Sequence, residues 1–276
     1  METLVIIFSK DRAFQLDCLL RSINLRLNNL FDKVTVLYTY SNNEYKLGYD
    51  KLINRFNYVE FYKENSFYDT FMSILNKYKK EYKFISLMVD DDFIYNKLEI
   101  QKERVLKSIT DQDICFSLRL GLNCVYSHPA NKSFRINSYI EYGEILKTDF
   151  KNQDGDFAYP MSLDGHIFNF NVIFNYIRNI NKFLNPNTLE EKLNSIKRLI
   201  KENNIIFLKE SILVGNPVNL VNNTHKNRNG LIHSQSIEDL NEKYLNDYIC
   251  DIDEINIENV NGCHMEFNYK FKKILK

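Results

Sequence analysis

The first third of the chain repeats one pattern: a short apolar, β-branched run, then an apolar stripe at helical spacing. Residues 3–8 read TLVIIF, the kind of run that is buried on both faces of a parallel sheet. Leu16, Leu19, Leu20, Ile23 and Leu27 follow on one helical face. The pattern recurs with residues 33–39 (KVTVLYT), then Tyr45, Tyr49, Leu52, Ile53 and Phe56. It recurs again with residues 58–62 (YVEFY), then Phe67, Phe71, Ile74, Leu75 and Tyr78, and closes on residues 83–89. Alternation at this pace predicts βαβ units, a mostly parallel sheet covered by helices, and right-handed crossovers.

The second half is less regular. Residues 113–118 (DICFSL) predict a strand, and residues 133–140 and 156–161 predict shorter, antiparallel ones. Helical patterns return at 167–180 and 188–201, strands at 205–208 and 217–221, and a final helix at 236–248. No repeat, Pro/Gly-rich linker or low-complexity block interrupts the chain, so residues 1–276 read as one domain with an elaborated second half. A chain of 276 residues with 44% hydrophobic and 26% charged residues can bury one large α/β core.

Charge and cysteines narrow the partners. The net charge is +0, without the basic excess that nucleic-acid binding requires. METLVIIFSKDR has too short an apolar run for a signal peptide, and no stretch approaches the ~18 apolar residues of a membrane span. Cys18, Cys115, Cys124, Cys250 and Cys263 show no CxxC and no zinc spacing, which reads as reduced thiols of a cytoplasmic protein.

The segment FISLMVDDDFIY places Asp90, Asp91 and Asp92 directly after the fourth predicted strand. Ligands of open α/β sheets bind beyond the carboxyl ends of the strands. Three like charges at a partly buried edge cost several kcal/mol unless a cation compensates, and a hard divalent ion, Mn²⁺ or Mg²⁺, does so with carboxylates, water and phosphates. Alternation along an extended segment turns Asp90 and Asp92 one way and Asp91 toward the scaffold. The plain alternative is a solvated turn with an acidic helix cap. The chain has no GxGxxG after the first strand, no GxxxxGKS and no HExxH, which counts against dehydrogenase, P-loop and zinc-protease chemistry.

The opening TLVIIFSKDR, the β/α alternation and the strand–DxD step near residue 90 together resemble the GT-A-fold glycosyltransferases, in particular the bacterial family-2-like enzymes that use nucleotide-diphosphate sugars. The likeness is firmest over residues 1–120, looser to about 230, and absent from the last stretch. It implies a Rossmann-like GT-A domain: a nucleotide-binding half (1–120), an acceptor-binding half (121–235) and a C-terminal extension (236–276). It also implies a role in surface polysaccharide biosynthesis. By this resemblance Asp92, with Asp90, binds the metal that bridges the diphosphate, and Phe8, Ser9, Lys10, Asp11, Arg12, Asp90 and Asp91 meet the nucleotide-sugar. Lys10 or Arg12 would neutralise diphosphate and Asp11 would accept from ribose or base; an ordinary βα loop is the alternative. Tyr38 to Asn42 offer further base contacts or simple packing.

Residues 156–168 read DFAYPMSLDGHIF. Asp164 occupies a place comparable to the general base of inverting GT-A enzymes, or it is the N-cap of the next helix. Gly165 allows a conformation or approach closed to other residues. His166 could hydrogen-bond sugar or diphosphate, and Arg119 could hold phosphate bidentately or form a surface ion pair. Asp154-Gly155-Asp156 reads as a turn. In the polar loop 222–230, His225 is the candidate additional metal ligand, with His233 behind it, or the loop is a flexible basic surface. The acceptor would be a hydroxyl of a glycan, lipid-linked or small molecule, and FNYKFKKILK allows weak peripheral contact with the inner face of the membrane. The alternatives are a sugar-phosphate nucleotidyltransferase, disfavoured by the glycine-free first loop, and an inactive nucleotide-sugar or metal-binding module.

Overall fold

The computed structural model describes residues 2–221, 228–255 and 257–274. The first half follows the alternation: β1 (Thr3–Lys10), α1 (Ala13–Arg26), β2 (Lys33–Thr39), α2 (Asn43–Arg55), β3 (Glu60–Lys63), α3 (Phe67–Tyr78) and β4 (Phe84–Val89). Then come β5 (Asp92–Ile94), α4 (Lys102–Ser108), β6 (Asp113–Ser117), β7 (Tyr126–Ser127), β8 (Lys132–Ser133), β9 (Ile140–Tyr142) and β10 (Ile145–Asp149). The chain continues through β11 (His166–Asn169), α5 (Phe170–Asn179), α6 (Pro186–Ser195), β12 (Asn204–Leu208) and β13 (Leu213–Gly215). It ends with α7 (Ile237–Leu245), β14 (Tyr248–Cys250) and β15 (Phe271–Lys273).

Among the described residues the main sheet has nine strands in the order β3-β2-β1-β4-β11-β6-β12-β10-β9. β3, β2, β1 and β4 run parallel. β11 is inserted antiparallel between β4 and β6, β12 is parallel to β6, and the β10–β9 edge is antiparallel. Side chains alternate across the sheet as the pleat requires. Val5, Ile7, Val36 and Met88 pack with Leu16, Leu19, Leu20 and Leu240 of α1 and α7. Leu4, Ile6, Phe8, Ile85 and Leu87 pack with Phe71, Ile74, Ile173 and Leu189 of α3, α5 and α6. Each such buried side chain contributes roughly 1.5–3 kcal/mol, which is why these strands read as unbroken apolar runs.

Four expectations fail in the second half. Residues 134–139, the middle of the run read as a strand over 133–140, are irregular between β8 and β9. Residues 156–161 form no strand: Gly155–Ala158 is a 3₁₀ turn, opened by Gly155 at φ +58. Residues 217–221 are irregular, and the strand lies upstream at β13. The helix expected from 167 begins at Phe170, where the Asn169 side chain accepts from the amides of Asn171 and Val172. HIF before it is strand, because a run buried on both faces has no periodicity to separate it from a helix start.

The C-terminal segment is built into the body. β14 and β15 pair, Tyr269 lies edge-on to Phe14 at 5.4 Å, and Lys272 Nζ is 2.9 Å from Asp251. Among the described residues no helix is long and apolar enough to cross a membrane.

Candidate active site

β1 and β4 are parallel neighbours in the register Phe8↔Val89, so the residues just beyond them meet at one edge of the sheet. Asp90 Oδ2 accepts from Ser9 Oγ at 2.9 Å and from the Lys10 amide at 3.0 Å. Arg12 Nη1 lies 3.0 Å from both Asp90 Oδ1 and Asp91 Oδ2. The strand stops at Val89 and turns, so strict alternation does not apply: Asp90 and Asp91 share Arg12, and Asp92 departs alone. Burial lifts the Asp90 carboxyl to about 6 against the pull of Arg12.

This arrangement corrects the reading of Arg12 as a diphosphate ligand. Arg12 is 5% exposed, and its remaining nitrogens donate to Asn219, Nε to the side chain at 2.9 Å and Nη2 to the carbonyl at 2.6 Å. Its guanidinium is used up inside the protein. Asp11, at φ +59, accepts from the Ser41 amide at 2.6 Å and the Ser41 hydroxyl at 2.5 Å, tying the β1 and β2 loops together. Phe8 is core, set edge-on to Phe67 and Phe71. The Lys10 side chain stays partly exposed at the sheet edge.

Asp92 forms the second half of the site. It pairs with Gly215 at the start of β5, is 2% exposed, and accepts the Val89 amide on Oδ2 at 3.2 Å. Its Oδ1 is buried with no hydrogen-bond partner. Burial first, then the charges of Asp164 and Asp91, hold this carboxyl well above the usual range. Gly215 also bridges to His264 on its other side. A Cβ on Gly215 would stand 2.7 Å from His264 Cδ2, so the missing side chain is what lets the imidazole lie across the strand. His264 Nε2 is 3.4 Å from Asp164 Oδ2, and its Nδ1 is buried without a partner.

Asp164 and Arg119 complete the cluster. Arg119, 3% exposed, meets Asp164 Oδ2 at 2.5 Å and Asp156 Oδ1 at 3.2 Å, and donates to Ser162. A guanidinium committed to two buried carboxylates is neither a phosphate clamp nor a surface pair. Burial would raise the Asp164 carboxyl, but Arg119, His264 and Ser162 outweigh it and hold it well below its usual value. Asp164 is not an N-cap, since β11 and not a helix follows it. Gly165 at φ +74 packs where a Cβ would come within 2.6 Å of Leu213.

His166 is not at the site. It is 0% exposed in β11, Nδ1 lies 3.2 Å from the Pro160 carbonyl, and burial with the Arg119 charge lowers it to about 3. His225 lies outside the described residues. His233 pairs with Asn268 at 3.0 Å. Sequence reasoning missed Asp156, Asn219, Glu190 and His264. The first was visible as a carboxylate but looked like turn chemistry, and NGCH has no spacing that marks it. Among the described residues no group of three His, Cys, Asp or Glu side chains could hold a metal by itself.

No family model matches the chain. A sequence relative, the bifunctional glycosyltransferase pgtA of Dictyostelium discoideum, is 27% identical over 267 residues, covering 91% of this chain. The chain spans about a third (34%) of that relative's length. Among solved structures, S. aureus TarS (1–349) in complex with UDP matches with TM-score 0.50 at 12% identity, over 77% of this chain and 60% of that one. The same protein in complex with UDP-GlcNAc matches with TM-score 0.50 at 13% identity, over 77% and 58%. The sheet order, the inserted antiparallel strand and these likenesses converge: the chain has the GT-A fold and is related to glycosyltransferases.

Proposed function

We propose that the chain transfers a sugar from a nucleotide-diphosphate donor to a hydroxyl of a glycan, lipid-linked or small acceptor, at the edge bounded by Asp90, Asp92 and Asp164, with a divalent cation. The observation that carries this reading is Asp92: a buried carboxylate with an unpartnered Oδ1, beside Asp164 and Asp91. Such a group calls for a cation.

The donor atoms suit a hard ion that keeps water and diphosphate oxygens in its remaining positions. Asp92 Oδ1 would hold it, and the unpartnered Nδ1 of His264, laid over Gly215, is the second candidate. Bound there, Mn²⁺ or Mg²⁺ supplies charge stabilisation for a departing nucleoside diphosphate. Asp90, fixed by Ser9, Lys10 and Arg12, orients the donor side. Tyr38 and Tyr40, tilted against each other and against Tyr49, offer the base a surface. Asp164 takes the acceptor hydroxyl's proton, and a base on the acceptor face favours inversion at the anomeric carbon.

The test is UDP binding by calorimetry with and without Mn²⁺, in wild type and Asp92→Asn, with the fold monitored by circular dichroism. Expected is Mn²⁺-dependent binding that Asp92→Asn abolishes. Equal UDP affinity in all four conditions overturns the reading. A thermal-shift panel of UDP-, GDP-, CMP- and dTDP-sugars then identifies the donor.

A further inference from the structure

In the sequence Tyr49 is one member of the apolar stripe of α2, and its side chain is fully buried there. Its hydroxyl, however, is turned to the candidate site. Tyr49 Oη lies 2.7 Å from Ser9 Oγ and accepts from the Arg12 amide at 3.3 Å. Ser9 has one hydroxyl proton, and it goes to Asp90 Oδ2, a carboxylate oxygen that can only accept. The proton between the two hydroxyls therefore comes from Tyr49. Every donor in the line is then fixed: the Arg12 amide to Tyr49, Tyr49 to Ser9, and Ser9 to Asp90. A carboxylate offers about four acceptor positions. Ser9 and the Lys10 amide fill those on Oδ2, and Arg12 Nη1 takes one on Oδ1. One position is left, on Oδ1, with a set direction. The Tyr49 ring is centred 4.8 Å from that of Tyr38 and 6.5 Å from that of Tyr40. A single side chain thus touches both the aromatic surface and the line that holds Asp90.

We propose that Tyr49 is a positioning residue for the donor. Through Ser9 it aims the open acceptor position of Asp90 at a ribose hydroxyl, and through its ring it sets that position relative to the surface for the base. The inference rests on the readings of Asp90 and of the Tyr38–Tyr40 surface given above. Tyr49 itself touches no substrate. Without its hydroxyl, Ser9 loses the donor that orients it, and the Arg12 amide loses the acceptor it has here. Both changes loosen the segment that grips Asp90. A hydrogen bond to a carboxylate is strong but directional, so an Asp90 free to turn gives up the ribose contact first. Contacts to the base and to the diphosphate do not pass through this line and remain.

The probes are UDP and 2′,3′-dideoxy-UDP, which lacks both ribose hydroxyls, titrated by calorimetry into the full chain with Mn²⁺. Circular dichroism and urea melts check the fold of each variant. Where another nucleotide leads the thermal-shift panel, its own diphosphate and dideoxy diphosphate replace this pair. Wild type should prefer the ribose form at least about tenfold, as expected for a hydrogen bond to a charged group. Tyr49→Phe keeps the ring and should shrink that preference about three- to tenfold by weakening the ribose form alone. Ser9→Ala should do the same, and the double variant should be no worse than either single one, because both break one line. Tyr49→Leu also removes the aromatic support of Tyr38 and should weaken both ligands. A merely structural Tyr49 would weaken both ligands equally in Tyr49→Phe and leave the preference standing. That outcome, or losses that add in the double variant, overturns the proposal. Equal affinity of wild type for the two ligands overturns it as well, while the donor site itself stands. A wild type that binds no nucleotide of the panel overturns the transfer reading, and this inference with it.

Discussion

Replacing Arg12 with alanine separates its structural use from a ligand-binding one. The side chain is 5% exposed and bridges two carboxylates at 3.0 Å while its other nitrogens reach Asn219, far along the chain. Removing one partner of a buried ion pair costs about 3–5 kcal/mol, because the charge left behind has neither water nor a counter-ion. The loss must depend on pH. Asp90 is protonated more readily folded than unfolded, about 6 against 3.8. The folded state therefore holds the extra proton between those values, and wild-type stability falls as pH rises through them, by about 3 kcal/mol for this group. Without Arg12 the folded value climbs further, so the penalty keeps growing above pH 6. Below about pH 4 Asp90 is neutral in both states, and the loss shrinks to the Asn219 hydrogen bonds and the partly exposed Asp91 contact, about 1–2 kcal/mol together. Urea melts at pH 4.5 and pH 8 should show a small loss at the lower pH and about 3–5 kcal/mol at the higher, with Arg12→Ala/Asp90→Asn recovering most of it. A loss independent of pH, or a double variant no better than the single one, refutes the reasoning.

Gly215→Ala brings a Cβ to 2.7 Å from His264 Cδ2 and displaces the imidazole, so the Mn²⁺ enhancement of UDP binding should drop with little change in binding without Mn²⁺; calorimetry reads both. His166→Leu removes a neutral ring whose described partners are Pro160 and Cys115, and should cost about 1–2 kcal/mol in a urea melt while leaving UDP affinity unaltered. A tenfold loss of UDP affinity there would return His166 to the site.

The legible parts of the site share one property. Ser9, Asp90 and Asp92 stand at the ends of strands whose burial on both faces gives unbroken apolar runs, and position after such a run is a local signal. The illegible parts are made by distant meetings. Arg12 sits directly after the first apolar run, yet its role depends on Asn219 and on a turn that points Asp90 and Asp91 the same way. Arg119 looks like a cleft cation until Asp156 and Asp164 come to it from the segment between β10 and β11, which holds no strand or α-helix.

By itself the amino-acid sequence determined the α/β class, the order of the first four strands and the three helices between them, and the edge at which the acidic triplet emerges, because hydrophobic periodicity and turn position are properties of neighbours in the chain. Only the tertiary structure decided which charges neutralise one another and that His264, from a tail with no recognisable pattern, lies over Gly215 toward Asp164. Pairing of buried charges is set by distances in space, and two residues that compensate each other leave no periodic mark on the sequence between them.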